Sequence, residues 1–285
     1  MISVLILTLN EARNLQRCLD AVRWSDDVVV FDSGSTDATV EIALAAGARV
    51  VTRPFDNERL HRAASLQVGF KNPWVFNPDA DEIAEPELIQ EMLDVASGSG
   101  DKVAYRVRFR NMFMGRWLRY SSLYPTWIMR LFRPEYISFE RDINLRYVVD
   151  GPEGRLHGHL RHYSFDNGLH AWFDKHNKYS SAEAIEAMHV LKAGEPVRWR
   201  SFVSRNSVER RRALKELSFR LPFRGLFRFL HSYVLRYGFL DGYPGYTFCR
   251  MMAIYESMIA LKIQEHRRLD RDREAGVIID GGRLE

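Results

Sequence analysis

A chain of 285 residues, 46% of them apolar, can bury the core of one large domain or of one domain plus an appendage, which excludes disordered and fibrous classes. Two distant cysteines, Cys18 and Cys249, exclude a disulfide framework and a zinc ribbon and point to a reducing, cytoplasmic setting. The net charge of +4 hides an asymmetry, because Arg198 to Arg236 holds eleven Lys or Arg against two acids, which points to a polyanionic partner.

The chain opens on "SVLILTL" (3–9), a short continuous apolar run of the kind that forms a strand buried on both faces rather than a signal peptide. "NEARNLQRCLDAV" follows with Leu15, Leu19 and Val22 at helical spacing. Val28 to Phe31 predicts a second strand. "DATVEIALAAG" predicts a helix with Asp37 as its N-cap and Gly47 as its stop. "ARVVTRPF", "ERLHRAASLQVGF" and "PWVFNPDADE" predict strand, helix and strand. This alternation implies an α/β fold with a mainly parallel sheet covered by helices on both faces.

In such sheets ligands sit beyond the carboxyl ends of the strands. "TLNE", "DSGSTD" and "DADE" all fall there, so three separate segments deliver polar side chains to one rim. The acids Asp79, Asp81 and Glu82 are too close together to sit unpaired away from water. Asp79 and Asp81, at the end of a buried strand, suit a divalent ion shared with substrate phosphates. Glu85 and Glu87 are explained by a helix start at "EPEL". Asp32 suits hydrogen bonding to a base or ribose, with Ser33, Gly34 and Ser35 forming a polar turn, although Ser35 and Asp37 serve equally as helix caps. Neither a dinucleotide fingerprint nor a P-loop is present.

From Lys102 the character changes. "KVAYRVRFRNMF" alternates like an antiparallel strand, "RYSSLYPTWIMRLFRP" is aromatic and basic, and "LHGHLRHYSF" carries His157, His159 and His162. Beyond Asp166 the pattern is helical. Residues 1–165 therefore form one expected domain, and 166–285 a helical C-terminal region. Leu226, Phe227, Leu230, Tyr233, Val234 and Tyr237 follow helical spacing, flanked by Arg224, Arg228 and Arg236. A basic amphipathic helix of this kind suits the plane of an anionic membrane, whereas no recognised nucleic-acid module is present. "YTFCRMMAIYESMIALKI" contains Arg250 and Glu256, so it is not expected to span a bilayer.

Taken jointly, "TLNEARNL", "VVVFDSGSTDAT", "NPDADE", "YPTWIMRLFR" and "HYSF…WFDKHNKYSSAEA" resemble the family 2 glycosyltransferases, among them bacterial enzymes of lipopolysaccharide-core and exopolysaccharide assembly of the beta-1,4-glucosyltransferase type. The resemblance covers roughly residues 1–190. It implies a GT-A fold, a nucleotide-diphosphate sugar donor such as a UDP-sugar, a divalent metal (Mn²⁺ or Mg²⁺), inversion at the anomeric carbon, and a lipid-linked saccharide acceptor at the inner membrane face. By position, Thr8, Asn10 and Glu11 would line the nucleotide pocket. Asp32 would sit on the uracil or ribose side with Ser35 beside it, Arg62 would lie near the donor, and Asp79 would approach the ribose. Asp81 would hold the metal, with His162 as a further ligand. The family pattern has an acid before "V-V-x-G", but here Asn144 is followed by Leu145. Asp142, Glu140 and Asp150 are the nearby carboxylates for the general base, Asp142 being favoured. A catalytically silent membrane-binding or partner-binding relative is the alternative reading.

Overall fold

The computed structural model describes residues 1–140, 145–192, 210 and 223–275. The chain divides into two compact units, one of residues 1–119 and 123–167, the other of residues 120–122 and 168 onward. In the first unit β1 (Ser3–Thr8), α1 (Ala12–Ala21), β2 (Val28–Asp32), α2 (Thr39–Ala45), β3 (Arg49–Thr52), α3 (Glu58–Ser65) and β4 (Val75–Phe76) alternate as expected. They are followed by β5 (Glu82–Ala84), α4 (Pro86–Ser97), β6 (Ala104–Phe113), β7 (Arg116–Trp117), β8 (Trp127–Phe132), β9 (Ile137–Glu140), β10 (Arg146–Val149) and β11 (Glu153–His162).

The main sheet runs β3-β2-β1-β4-β8-β6-β11-β5, with β7 paired to β6 and β9–β10 forming a separate antiparallel ribbon. Its β3-β2-β1-β4 half is parallel. Beyond β4 the sheet is mixed, antiparallel at β8 and parallel again where β6 meets β11.

The alternating faces of β1 explain why its run is apolar without interruption. Val4 and Ile6 enter one core with Leu15, Cys18 and Leu19 of α1 and Leu88 and Met92 of α4. Leu5 enters the other with Val29, Phe31 and Leu66. A Val, Leu, Ile, Phe or Met side chain contributes about 1.5–3 kcal/mol of transfer free energy when fully buried in this way. Gly158 on β11 is required by close packing, because a Cβ there would come within 2.5 Å of the Leu88 backbone.

Two local expectations need correction. The expected long fourth strand is only two residues, because Pro78 has no amide to donate to a ladder. Asn77 instead donates its side-chain amide to Leu5 O at 2.7 Å, and its backbone N–H goes to Arg130 O at 2.8 Å. The chain touches the sheet again at an isolated parallel bridge between Leu7 and Asp79. At α2 the cap position is Ala38 rather than Asp37, although the Asp37 carboxylate still accepts the Thr39 N–H at 3.0 Å. Gly47 does end that helix, in the left-handed region at φ 79°.

The second unit contains α5 (Gly168–Lys192), α6 (Arg224–Leu230), a π-helical turn His231–Leu235, a 3₁₀ turn Gly238–Asp241 and the long α7 (Gly242–Glu274). Ala184 and Ala187 of α5 pack on Ile259 and Ile263 of α7. The buried Asp241 carboxylate accepts the amides of Tyr120 and Ser121 at 2.9 and 2.8 Å, which fixes that short segment in this unit. The expected continuous amphipathic helix over 224–237 is broken at the π turn, and Arg224 is buried against Glu256 at 2.6 Å instead of flanking an apolar stripe. Most of the basic segment 198–222 lies outside the described residues. No helix among the described residues is long and apolar enough to cross a membrane.

Asp27, at the start of β2, ties three segments together. Its buried carboxylate accepts Ser3 Oγ–H at 2.6 Å and the Lys71 amide at 2.8 Å, with Arg49 nearby at 3.5 Å. Burial pushes its pKa up, but the Ser3, Lys71 and Arg49 interactions outweigh it and hold the group below the usual carboxylate range. A depressed carboxylate contributes stability that is present above its unfolded pKa of about 3.9 and is lost as pH falls below that value. Urea denaturation is expected to show Asp27→Ala costing about 1–3 kcal/mol at neutral pH, with a smaller difference from wild type on the acid side of about pH 4. A difference independent of pH would contradict this role.

Candidate functional site

The carboxyl ends of β1, β2 and β4 meet at one rim, and hydrogen bonds knit their loops together. Thr8 Oγ1 donates to Asp32 at 2.9 Å. The Asp32 carboxylate also accepts the amides of Gly34 and Ser35, at 2.9 and 2.8 Å, and the Ser35 hydroxyl. Burial raises the Asp32 pKa, but these donors outweigh it and hold the group ionised below the usual range. Gly34 sits at φ 93°, a conformation that a side chain would strain.

Asn10 is also left-handed, at φ 57°. Its amide donates to Ser35 Oγ at 2.8 Å and its side-chain oxygen accepts the Thr36 amide at 2.8 Å. The Glu11 amide donates to Thr39 Oγ1 at 2.8 Å, and its carboxylate accepts from Asn14 at 3.0 Å. Burial first, then the neighbouring Asp81 and Asp79, raises the Glu11 pKa, so Glu11 belongs to the same acidic cluster. Thr8, Asn10, Glu11, Asp32 and Ser35, singled out from the sequence, are therefore one connected structure. Thr8 and Asp32 are wholly buried within it.

Beneath the acids lies a residue the sequence reading did not assign. Arg130, buried on β8, forms a two-pronged pair with Glu82, Nε and Nη2 each 2.8 Å from a carboxylate oxygen. The same Nη2 donates to Asp79. Glu82 also accepts the Asp79 amide at 3.0 Å. Glu82 is thus an anchor for Arg130 and not a third rim acid. Burial pushes the Asp79 pKa up, but Arg130 and Arg62 outweigh it, so Asp79 stays ionised. The signal available in the sequence was one arginine inside the otherwise apolar run "WIMRLF", since a charge in a buried strand requires an ionised partner.

Asp81 and His162 face each other, with Nε2 to Oδ2 at 3.4 Å, both half-buried. His162 Nδ1 contacts Asn111 Oδ1 at 3.0 Å, which leaves Nε2 directed at the carboxylate. Burial lowers the His162 pKa, but Asp81 outweighs it and the net direction is upward. A carboxylate and an imidazole nitrogen converging in this way hold either a proton or a cation, and the outward hydrogen bond to Asn111 is the usual support for a metal-ligating histidine. Among the described residues no group of three or more His, Cys, Asp or Glu is arranged to hold a metal by itself. These two donors therefore fit an ion that draws its remaining ligands from a bound substrate and water.

Arg62, on α3, is held by Glu58 at 2.6 Å and reaches the Tyr147 hydroxyl at 3.3 Å. It lines a cleft of about 640 Å³ with Arg106, Arg130, Trp127 and Tyr147. Leu145 lines the same cleft, at the position where the family pattern has an acid. Glu140 and Asp150 are exposed around the β9–β10 ribbon. Glu140 faces Arg146 at 3.9 Å, and Asp150 donates its amide to Tyr136 O at 2.9 Å. The described contacts bring neither to Asp79 or Asp81, and Asp142 lies outside the described residues. His159 contacts the Tyr124 hydroxyl at 2.9 Å, and in the second unit His176 stacks on Trp172 at 3.7 Å, so both are packed residues.

Removing the guanidinium leaves Glu82 buried without its counter-ion and Asp79 unclamped. Arg130→Ala is expected to cost about 3–5 kcal/mol in urea unfolding. Arg130→Lys should recover only part of this, because an ammonium cannot make the two-pronged contact. Full recovery by lysine would contradict the clamp.

The glycosyl transferase family 2 model matches residues 3–162. A glycosyltransferase of unassigned substrate from Rickettsia typhi is 28% identical over 279 residues, 93% of this chain and 87% of its own length. The lipopolysaccharide core biosynthesis glycosyltransferase LpsC of Rhizobium meliloti is 30% identical over 119 residues, 40% of this chain and 44% of that protein. Among solved structures, glucosyl-3-phosphoglycerate synthase from Mycobacterium tuberculosis, in complex with Mn²⁺, UDP and glucosyl-3-phosphoglycerate, is 27% identical with a TM-score of 0.34, over 39% of this chain and 44% of that one. With the family model spanning more than half the chain, from β1 to the end of β11, this protein is a glycosyltransferase and belongs to glycosyl transferase family 2.

Proposed function

We propose that the protein transfers a hexose, with inversion, from a nucleotide-diphosphate sugar, a UDP-sugar in the first instance, to a lipid-linked saccharide in bacterial cell-surface polysaccharide or lipopolysaccharide assembly. The observation that carries this reading is the convergence of Asp79, Asp81 and His162 above the Arg130 clamp, at the carboxyl end of the parallel strands. Family membership supports the donor class, and the likeness to LpsC supports the pathway class.

Each residue then has a task. The loops joined through Asp32, Asn10 and Ser35 form a rigid rim for the nucleoside, with Asp79 toward the ribose. Asp81 and His162 would hold a divalent ion, Mn²⁺ or Mg²⁺, whose charge offsets that developing on the leaving diphosphate. Arg62 adds a cation on the cleft side. The acceptor hydroxyl gives its proton to a carboxylate while its oxygen bonds to the anomeric carbon and the bond from that carbon to the diphosphate breaks. Leu145 cannot take that proton, so the base falls to the neighbouring carboxylates, and Asp142 is the assignment we favour over Glu140 and Asp150. The reaction belongs at the cytoplasmic face of the bacterial inner membrane, where a nucleotide sugar and a lipid-linked acceptor can meet.

Calorimetric titration of UDP is expected to give Mn²⁺-dependent binding that Asp81→Ala abolishes. Binding unaffected by metal or by the substitution would remove Asp81 from the ion site. In a transfer assay, Asp142→Asn should lower kcat by about 10²–10⁴-fold, while Glu140→Gln and Asp150→Asn stay near wild type. If one of the latter two carries the loss instead, the base is that residue.

A further inference from the structure

In the second unit, residues 223–246 fold with their usual pattern reversed. The buried positions are Arg224, Gly225, Ser232, Gly238, Asp241 and Gly245, whereas Phe223, Leu226, Leu230, Leu235, Tyr237 and Tyr243 are exposed, Leu235 to 70% and Phe223 to 74%. Small residues at the seams cause this reversal. A Cβ on Gly225 would lie 2.6 Å from Ala253 O of α7, one on Gly238 2.6 Å from Ser232 O, and one on Gly245 2.4 Å from Gly238 O. Backbone packs on backbone there, and the large apolar side chains are left pointing outward. Phe223 and Tyr237 sit in the left-handed region at φ 57° and 60°, strained positions for aromatic residues that are nonetheless exposed.

Charge chooses the occupant. From Phe223 to Tyr255 the one acid is Asp241, which is buried and engaged by Tyr120 and Ser121. The cations along the same stretch are Arg224, which pairs inward with Glu256, and Arg228, Arg236 and Arg250. Arg250 is exposed beside the Tyr246 ring, 5.5 Å from its centroid. An apolar surface of this extent on a water-facing protein marks an interaction site. Aliphatic and aromatic side chains bordered by the guanidinium groups of Arg228, Arg236 and Arg250, with the nearby carboxylates of Asp241 and Glu256 taken up by Ser121 and Arg224, match the boundary between acyl chains and anionic headgroups. α6, with seven residues, and the two short turns after it are too short to span a bilayer but long enough to lie in its interface.

We propose that this surface docks the protein onto an anionic lipid bilayer, with Leu235, Tyr237 and Phe223 entering the interfacial layer and Arg228, Arg236 and Arg250 meeting the headgroup phosphates. The inference deepens the transfer reading above, since a lipid-linked acceptor lies in such a bilayer, but its test requires no transfer reaction.

The full chain is floated with vesicles of phosphatidylglycerol and phosphatidylethanolamine, and separately with phosphatidylcholine alone. Wild type is expected to float with the anionic vesicles at low salt and about tenfold more weakly with the neutral ones. Leu235→Ser/Tyr237→Ser should weaken anionic-vesicle binding by about tenfold or more, with an unchanged thermal melt. Arg228→Gln/Arg236→Gln should reduce the salt dependence. Leu235→Trp supplies a signal independent of those losses, a blue shift in its emission on addition of anionic vesicles. Wild type remaining unbound, serine variants that float like wild type, or no shift from Leu235→Trp would overturn the proposal. A concentration-dependent dimer in sedimentation velocity, abolished by the serine substitutions while vesicles have no effect, would assign the surface to a second copy instead.

Discussion

The contact on which the site depends is the buried pairing of Arg130 with Glu82 and Asp79. A parallel strand that ends in carboxylates raises an electrostatic problem, because each acid penalises the ionisation of the next. Here one guanidinium lies under the cluster, fixed by the two-pronged contact with Glu82, and extends the same nitrogen to Asp79. The charge below leaves Asp79 ionised and oriented, while Asp81 is free to turn toward His162. Without that base the rim would have no reason to hold this geometry. Replacing one member alone leaves a buried charge unpaired, which is why a single substitution costs more than the pairing itself contributes to stability.

This arrangement also divides the labour among the acids that crowd "NPDADE". Glu82 points inward and is structural. Asp79 is held by the clamp while its side chain stays 41% exposed. Asp81 faces the rim with a histidine whose other nitrogen is occupied by Asn111. A similar division runs through "DSGSTD", where the Asp32 carboxylate is taken up by Thr8, Gly34 and Ser35 and holds the loops, leaving Ser33 to contact His61 at 2.9 Å. Rigid loops on a parallel sheet suit a ligand that must be gripped at a nucleoside and at a diphosphate together.

The sequence made the first half of the fold legible for a specific reason. Strands such as β1 and β2 are buried on both faces, so their apolar runs are continuous yet too short for helices, and the polar segments closing them fall together at one end. That route located the segments "TLNE" and "DSGSTD", and the family resemblance singled out Thr8 and Asn10 within the first. Arg130 was not, because its partners Glu82 and Asp79 lie 48 and 51 residues away and no local pattern links them. The fourth strand was read too long because the apolar run outweighed the effect of Pro78. The C-terminal stripe was read as one helix because periodicity alone does not reveal a π turn, nor that Arg224 would turn inward toward Glu256. The reversed burial around Leu235 and Tyr237 arises from glycines whose packing partners are set only by the tertiary fold.

The central claim is that Asp81 and His162 share one divalent ion with the diphosphate of a nucleotide bound at this rim. Pulsed electron paramagnetic resonance of the protein with Mn²⁺ and UDP tests it directly. The account predicts coupling of the ion to phosphorus from the diphosphate and to one imidazole nitrogen that disappears in His162→Ala. An ion coupled to water and phosphorus alone in the wild type, with the same spectrum in Asp81→Ala, would contradict it.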